Sequence, residues 1–131
     1  MLTPQQVEQF EEQGFVIVRG LLTRPEVAAM KSRAELISRG EADHVDAKQL
    51  QVEPVVAKGE AEAEERTDSL RKMSHVAFVD DVYRTHALND RILDCIEALL
   101  GPDIKLYQDQ LFMKPPRIGS RQRYHQDQPL G

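Results

Sequence analysis

Apolar positions repeat at helical spacing in three stretches of this chain, and each stretch is entered by a polar residue that can cap a helix. Thr3, followed by Pro4 and by Gln6 three residues on, predicts a capping box with proline in the first turn. Val7 and Phe10 then begin an amphipathic helix over Pro4 to Gln13, which Gly14 can end in the left-handed conformation. The same grammar returns with Thr23, Pro25 and Glu26, after which Val27, Met30, Ala34 and Ile37 mark a helical stripe that stops at Gly40. Asn89 offers a third N-cap, Ile92, Leu93, Ile96, Leu99 and Leu100 form the stripe, and Gly101-Pro102 supplies the stop. Cys95 borders that stripe and is expected as a packed core thiol rather than a reactive one.

Between the helices the pattern changes to strand length. Phe15-Val16-Ile17-Val18 is apolar and β-branched and predicts a buried strand before Arg19-Gly20. Val52, Val55 and Val56 could form a short strand around Pro54. In Leu70 to Val79, Leu70, Lys72 and Ser74 alternate with Arg71, Met73 and His75, which is compatible with a strand although periodicity alone leaves the segment open. Ile104 to Met113 is long enough to cross a sheet, with Gln108 and Gln110 on one face among Ile104, Leu106 and Phe112. Two glutamines in a dry core would be costly, so they face solvent or line a polar cavity. Lys114-Pro115-Pro116 ends that ladder, Gly119-Ser120 turns the chain, and Arg121 to Asp127 returns as a further strand. The chain contains no internal repeat.

Charge sharpens this outline. The formal net charge is −5 over 131 residues, but the segment from Glu41 to Asp68 holds nine acidic and three basic residues, or −6, and leaves thirteen acidic and fourteen basic, or +1, for the rest. Its densest part is Ala61-Glu62-Ala63-Glu64-Glu65, so 41–68 reads as an acidic loop excursion, either a solvated surface loop or a binding tail, from a single domain over 1–131. No basic face remains to neutralise phosphates, which argues against a nucleic-acid partner. No apolar run approaches the roughly 18 to 20 residues of a membrane span, and Met1 to Gln6 lacks the regions of a signal peptide. The single cysteine fits a reducing compartment, and a soluble cytoplasmic protein is the expectation.

The candidate chemistry lies in Tyr124-His125-Gln126-Asp127. On a strand, the two-residue period puts His125 and Asp127 on one face, where an imidazole and a carboxylate can converge on a cation such as ferrous iron. Two protein ligands do not complete the 2-His-1-carboxylate arrangement, and no histidine follows Asp127. His44, His75 and His86 have no neighbour at ligand spacing and are expected as surface or loop histidines. Arg117, Arg121 and Arg123 form a basic cluster beside the motif, read as a solvated turn or as a lure for an anionic substrate.

Taken together, Gln108-Asp109-Gln110-Leu111-Phe112-Met113-Lys114-Pro115-Pro116, the polar turn and Tyr124-His125-Gln126-Asp127 resemble the phytanoyl-CoA dioxygenase family of iron(II)- and 2-oxoglutarate-dependent oxygenases. Glu8-Gln9-Phe10, then Gly14 to Gly20, and the helix end Leu100-Gly101-Pro102 resemble the same family. The resemblance implies an α+β chain with N-terminal helices packed on an incomplete double-stranded β-helix, a cupin-like jelly-roll of which about the first half is present. It implies Fe(II) and 2-oxoglutarate as cofactors, with His125 and Asp127 as the first two iron ligands and Lys72, Gln110 and Gln126 near the 2-oxoglutarate. Tyr124 stands where the family often has tryptophan or leucine. The implied reaction is hydroxylation of a small organic molecule, coupled to decarboxylation of 2-oxoglutarate to succinate. The family's distal histidine and 2-oxoglutarate-binding basic residue are missing from these 131 residues, so the chain is expected to be inactive alone. A non-catalytic binding or assembly module derived from the half-fold is the alternative, and open strand edges predict a homo-oligomer.

Overall fold

The computed structural model describes residues 1–53, 59, 70–113 and 124. Among them stand four α-helices and a small antiparallel sheet, an α+β arrangement. Both predicted capping boxes form. The Thr3 N–H donates to Gln6 Oε1 at 2.8 Å and Thr3 Oγ1 accepts from the Gln6 N–H at 3.2 Å, opening α1 (Pro4–Gln13). Thr23 and Glu26 do the same for α2 (Arg24–Ser38), at 2.9 and 3.3 Å. Gly14, at φ 82°, ends α1 with its N–H on Phe10 O at 2.8 Å, a conformation that side-chain-bearing residues resist.

One expectation after α1 needs correction. Phe15 to Val18 is not a buried strand. It pairs with no strand among the described residues, and Phe15 and Ile17 are exposed while Val16 and Val18 are half-buried. Apolar, β-branched composition favours an extended backbone, but a ladder also needs a neighbouring edge, and the described sheet does not reach this run. In the described part of the acidic stretch, Val52 lies in a strand, as expected of the short apolar interruption. Ala42 is buried in the core, Ala47–Gln49 form a 3-10 turn capped by Asp46, and Leu50–Val52 form strand β1. Val55 and Val56 lie outside the described residues.

The sheet runs β1-β2-β3, with β2 (Leu70–Ser74) antiparallel to both β1 and β3 (Gln110–Phe112). Leu50 faces Met73 and Gln51 faces Lys72, but Val52 faces Leu70, so Arg71 is the extra residue of a β-bulge. A bulge reverses the alternation locally, which explains how Leu70 and Met73 both reach the core, 4% and 0% exposed. The strand ends at Ser74. His75 takes a left-handed conformation at φ 58°, and Val76–Phe78 form a 3-10 turn, so only the first half of Leu70–Val79 is strand. Asp109 fastens that turn, its carbonyl accepting from the His75 N–H at 2.9 Å and its Oδ2 from the Ala77 N–H at 3.3 Å. Ile104 to Asp109 likewise carries no ladder among the described residues, and the strand predicted to run to Met113 is confined to Gln110–Phe112.

A helix not expected from the sequence, α3 (Asp81–Ala87), follows the turn and leads into α4 (Asp90–Leu100), which Asn89 caps as predicted. Ile37, Met73 and Val76 are the most enclosed members of a core that also takes Ala34, Ala42, Leu70, Ala77 and Tyr83. Cys95 is buried on α4, as expected of a packed thiol, whereas Leu88 and Leu100 at the ends of α3 and α4 remain exposed.

Candidate functional site

Antiparallel register decides which side chains share a face. Met73 lies opposite Leu50 and Leu111, all three on the core side. Lys72 lies opposite Gln51 and Phe112, and Ser74 opposite Gln110, so these five side chains project from the outer face. Lys72 and Gln110 are therefore diagonal neighbours, on the order of 7–8 Å apart and within joint reach of one ligand. Lys72 is half-buried and Gln110 exposed.

The outer face is cationic as well as amide-rich. The bulge turns Arg71 so that its guanidinium carbon stands 5.5 Å from the centre of the Phe112 ring, a cation–π contact on the Lys72 side of the sheet. Among the described residues the Lys72 ammonium makes no ion pair, and the side chains of Gln51 and Gln110 make no hydrogen bond. A half-buried ammonium beside a guanidinium and two primary amides suits a small anion with oxygens to accept hydrogen bonds, a description that a dicarboxylate meets. Arg71 was not identified from the sequence, because a bulge leaves no signature in alternation.

His125, Gln126 and Asp127 lie outside the described residues, as do Arg117, Arg121 and Arg123. No group of three histidine, cysteine or carboxylate side chains able to hold a metal occurs among the described residues. His44 has a different engagement. Its Nε2 lies 2.7 Å from Oδ2 of Asp80, which also accepts from Arg33 Nη1 at 3.1 Å. Asp80 Oδ1 caps α3, accepting from the N–H groups of Val82 and Tyr83 at 2.9 and 3.2 Å. The carboxylate is completely buried. Burial alone raises its pKa, but the hydrogen bond to His44, the Tyr83 N–H, the charge of Arg33 and the Val82 N–H together outweigh it and leave the pKa below the ordinary carboxylate value. Tyr83 donates its hydroxyl to Met30 O at 2.7 Å, and burial first, then the Asp80 charge, pushes its pKa up to about 12 against the opposing pull of Arg33.

This cluster joins α2, the residue 44 loop and α3 behind the sheet. Its one local signal in the sequence is Asp80 before Asp81, Val82 and Tyr83, an N-cap followed by an acidic first turn.

The sequence profile of the family described as Phytanoyl-CoA dioxygenase (PhyH) matches residues 10–131, and the chain belongs to that family. Among its relatives is an ectoine dioxygenase of Bordetella parapertussis, 24% identical over 126 residues that make up 96% of this chain and 37% of the relative. The peroxisomal phytanoyl-CoA dioxygenase of Mus musculus is 26% identical over 130 residues, 97% of this chain and 37% of the mouse protein. The chain thus spans little more than a third of the length of these relatives. No solved structure matches it significantly. Among the described residues no helix is long and apolar enough to cross a membrane.

Proposed function

We propose that this chain forms the N-terminal part of an Fe(II)- and 2-oxoglutarate-dependent oxygenase that hydroxylates a small organic molecule. The observation that carries the reading is membership of the phytanoyl-CoA dioxygenase family over residues 10–131, a span that contains both His125 and Asp127. In this reading β1 to β3 belong to a cupin-like jelly-roll within one domain. The imidazole of His125 and the carboxylate of Asp127 hold the ferrous iron, one nitrogen and one oxygen donor being the set that such iron accepts. Lys72 draws a carboxylate of 2-oxoglutarate to the outer face, and Gln110 and Gln126 donate hydrogen bonds to it. Iron with 2-oxoglutarate, when bound, supplies the oxygen activation needed to hydroxylate an unactivated carbon.

A third protein ligand is required. His44 is committed to Asp80, so His75, His86 or a residue outside these 131 must supply it. In this reading strand edges left open by an incomplete barrel pair with another copy, so sedimentation at micromolar concentration is expected to show a dimer or larger species. A monodisperse monomer would remove that part of the proposal.

The function is tested by anaerobic titration with ferrous iron and 2-oxoglutarate, following the weak visible charge-transfer band of the chelate. A band that disappears in His125→Ala supports the reading. No band at about millimolar ligand would overturn it for this polypeptide and leave the binding or assembly module as the better description.

A further inference from the structure

The register across the sheet sets three outer-face side chains in one transverse row. Gln51 of β1 stands directly opposite Lys72 of β2, which stands directly opposite Phe112 of β3. Directly opposed residues have Cβ atoms about 4.5–5.5 Å apart, whereas a diagonal such as that from Lys72 to Gln110 is about 7–8 Å. Gln51 is therefore the amide nearer to the ammonium. It belongs to the acidic stretch 41–68, which holds nine acidic residues, yet the residue that faces Lys72 is neutral. A carboxylate at that position would pair with Lys72 across the strands and cancel its charge. An amide leaves the charge in place and sets N–H donors beside it.

Gln49, two residues earlier, puts the same kind of side chain to a structural use. Its Oε1 accepts from the Asp46 N–H at 3.0 Å, and its Nε2 donates to Ser74 O at 3.1 Å and to His75 O at 3.3 Å. Gln49 thus ties the start of β1 to the end of β2 and holds the register that sets Gln51 against Lys72. On the other flank of β2, Arg71 O accepts from the Met113 N–H at 2.7 Å and the His75 N–H donates to Asp109 O at 2.9 Å. The row is carried on strands fixed to one another on both sides, as a preorganised site requires. By contrast with Gln49, the Gln51 side chain is exposed and makes no hydrogen bond among the described residues.

We propose that Gln51 is a further 2-oxoglutarate-binding residue, which shares one carboxylate of that ligand with Lys72. The inference rests on the proposed function of the outer face and adds to it a donor from β1. The ammonium gives one carboxylate oxygen a charge-assisted hydrogen bond, and the Gln51 N–H donates to the other. The keto-acid end of 2-oxoglutarate is the end that chelates a metal, so the shared carboxylate is the remote one. Gln51 thereby favours a dicarboxylate over a 2-keto acid that lacks the second carboxylate.

The test uses the whole chain with ferrous iron under anaerobic conditions. Calorimetry supplies dissociation constants for 2-oxoglutarate and for 2-oxobutyrate, the same keto acid without the remote carboxylate. Gln51→Met, a near-isosteric change at an exposed position, is expected to weaken 2-oxoglutarate about fivefold and to leave 2-oxobutyrate within about twofold of native. Added to Lys72→Met, it is expected to cost less than about twofold more, because the two side chains act on one carboxylate. Unchanged 2-oxoglutarate binding in Gln51→Met, with Lys72→Met weakened, overturns the inference and leaves the proposed function standing. Equal weakening of both keto acids, or losses from Gln51→Met and Lys72→Met that multiply, overturns it as well. Where 2-oxobutyrate binds too weakly to measure, the pairing with Lys72→Met decides. A native chain that binds neither keto acid overturns the proposed function and the inference with it.

Discussion

Asp80 and Lys72 lie on segments joined by a single turn, yet their polar atoms meet opposite fates. Asp80 is wholly buried and each of its oxygens takes two donors, from Val82, Tyr83, Arg33 and His44. Lys72 is half-buried on the outer face and makes no ion pair among the described residues, and the amides of Gln51 and Gln110 beside it are equally unengaged. Polar groups that satisfy one another build architecture, because removing one strands the rest. Groups held in place without partners are free to meet a ligand, which is why the second cluster and not the first is the candidate site.

The contrast can be broken most forcefully at the buried end. Asp80→Ala removes the α3 cap and the acceptor shared by Arg33 and His44 at once, and should lower stability by about 3 kcal/mol, read from denaturant unfolding. A loss below about 1 kcal/mol would show that the cluster is incidental to the fold. The same carboxylate predicts an acid limb. Its folded pKa lies below its unfolded value, so its contribution is complete above the unfolded pKa of about 4 and is lost as pH falls through the folded value. Unfolding free energy measured from pH 6 downward should therefore fall more steeply in the native chain than in Asp80→Asn, and parallel curves would contradict the assignment. Lys72→Met, by comparison, should change stability by no more than about 0.5 kcal/mol, because it breaks no internal pair.

How much of this could be read beforehand follows from how local each signal is. The helices α1, α2 and α4 were legible in Thr3/Gln6, Thr23/Glu26 and Asn89, where cap and stripe lie within a few residues of each other. The seven-residue α3 was not, being too short for a stripe although Asp80 announced its start. Phe15 to Val18 misled because apolar composition reports an extended backbone but not the neighbour that would bury it. The ladder of Ile104 to Met113 shrank to three residues for the same reason. For the site, Lys72 and Gln110 came from resemblance to the family, and their sharing of one face became visible only with the β2–β3 register. Arg71 joins them through a bulge, and Arg33, His44 and Asp80 meet across three segments, relations that no local pattern encodes.

The central claim is that the outer face of the sheet is where the anion binds, and it is tested most directly by the dissociation constant for 2-oxoglutarate in Lys72→Met against the native chain. Anaerobic calorimetry with ferrous iron present would supply it. The account predicts binding weakened about tenfold or more with a melting temperature within about 3 °C of native. An unchanged constant in a folded Lys72→Met chain would contradict it and move the anion site away from this face.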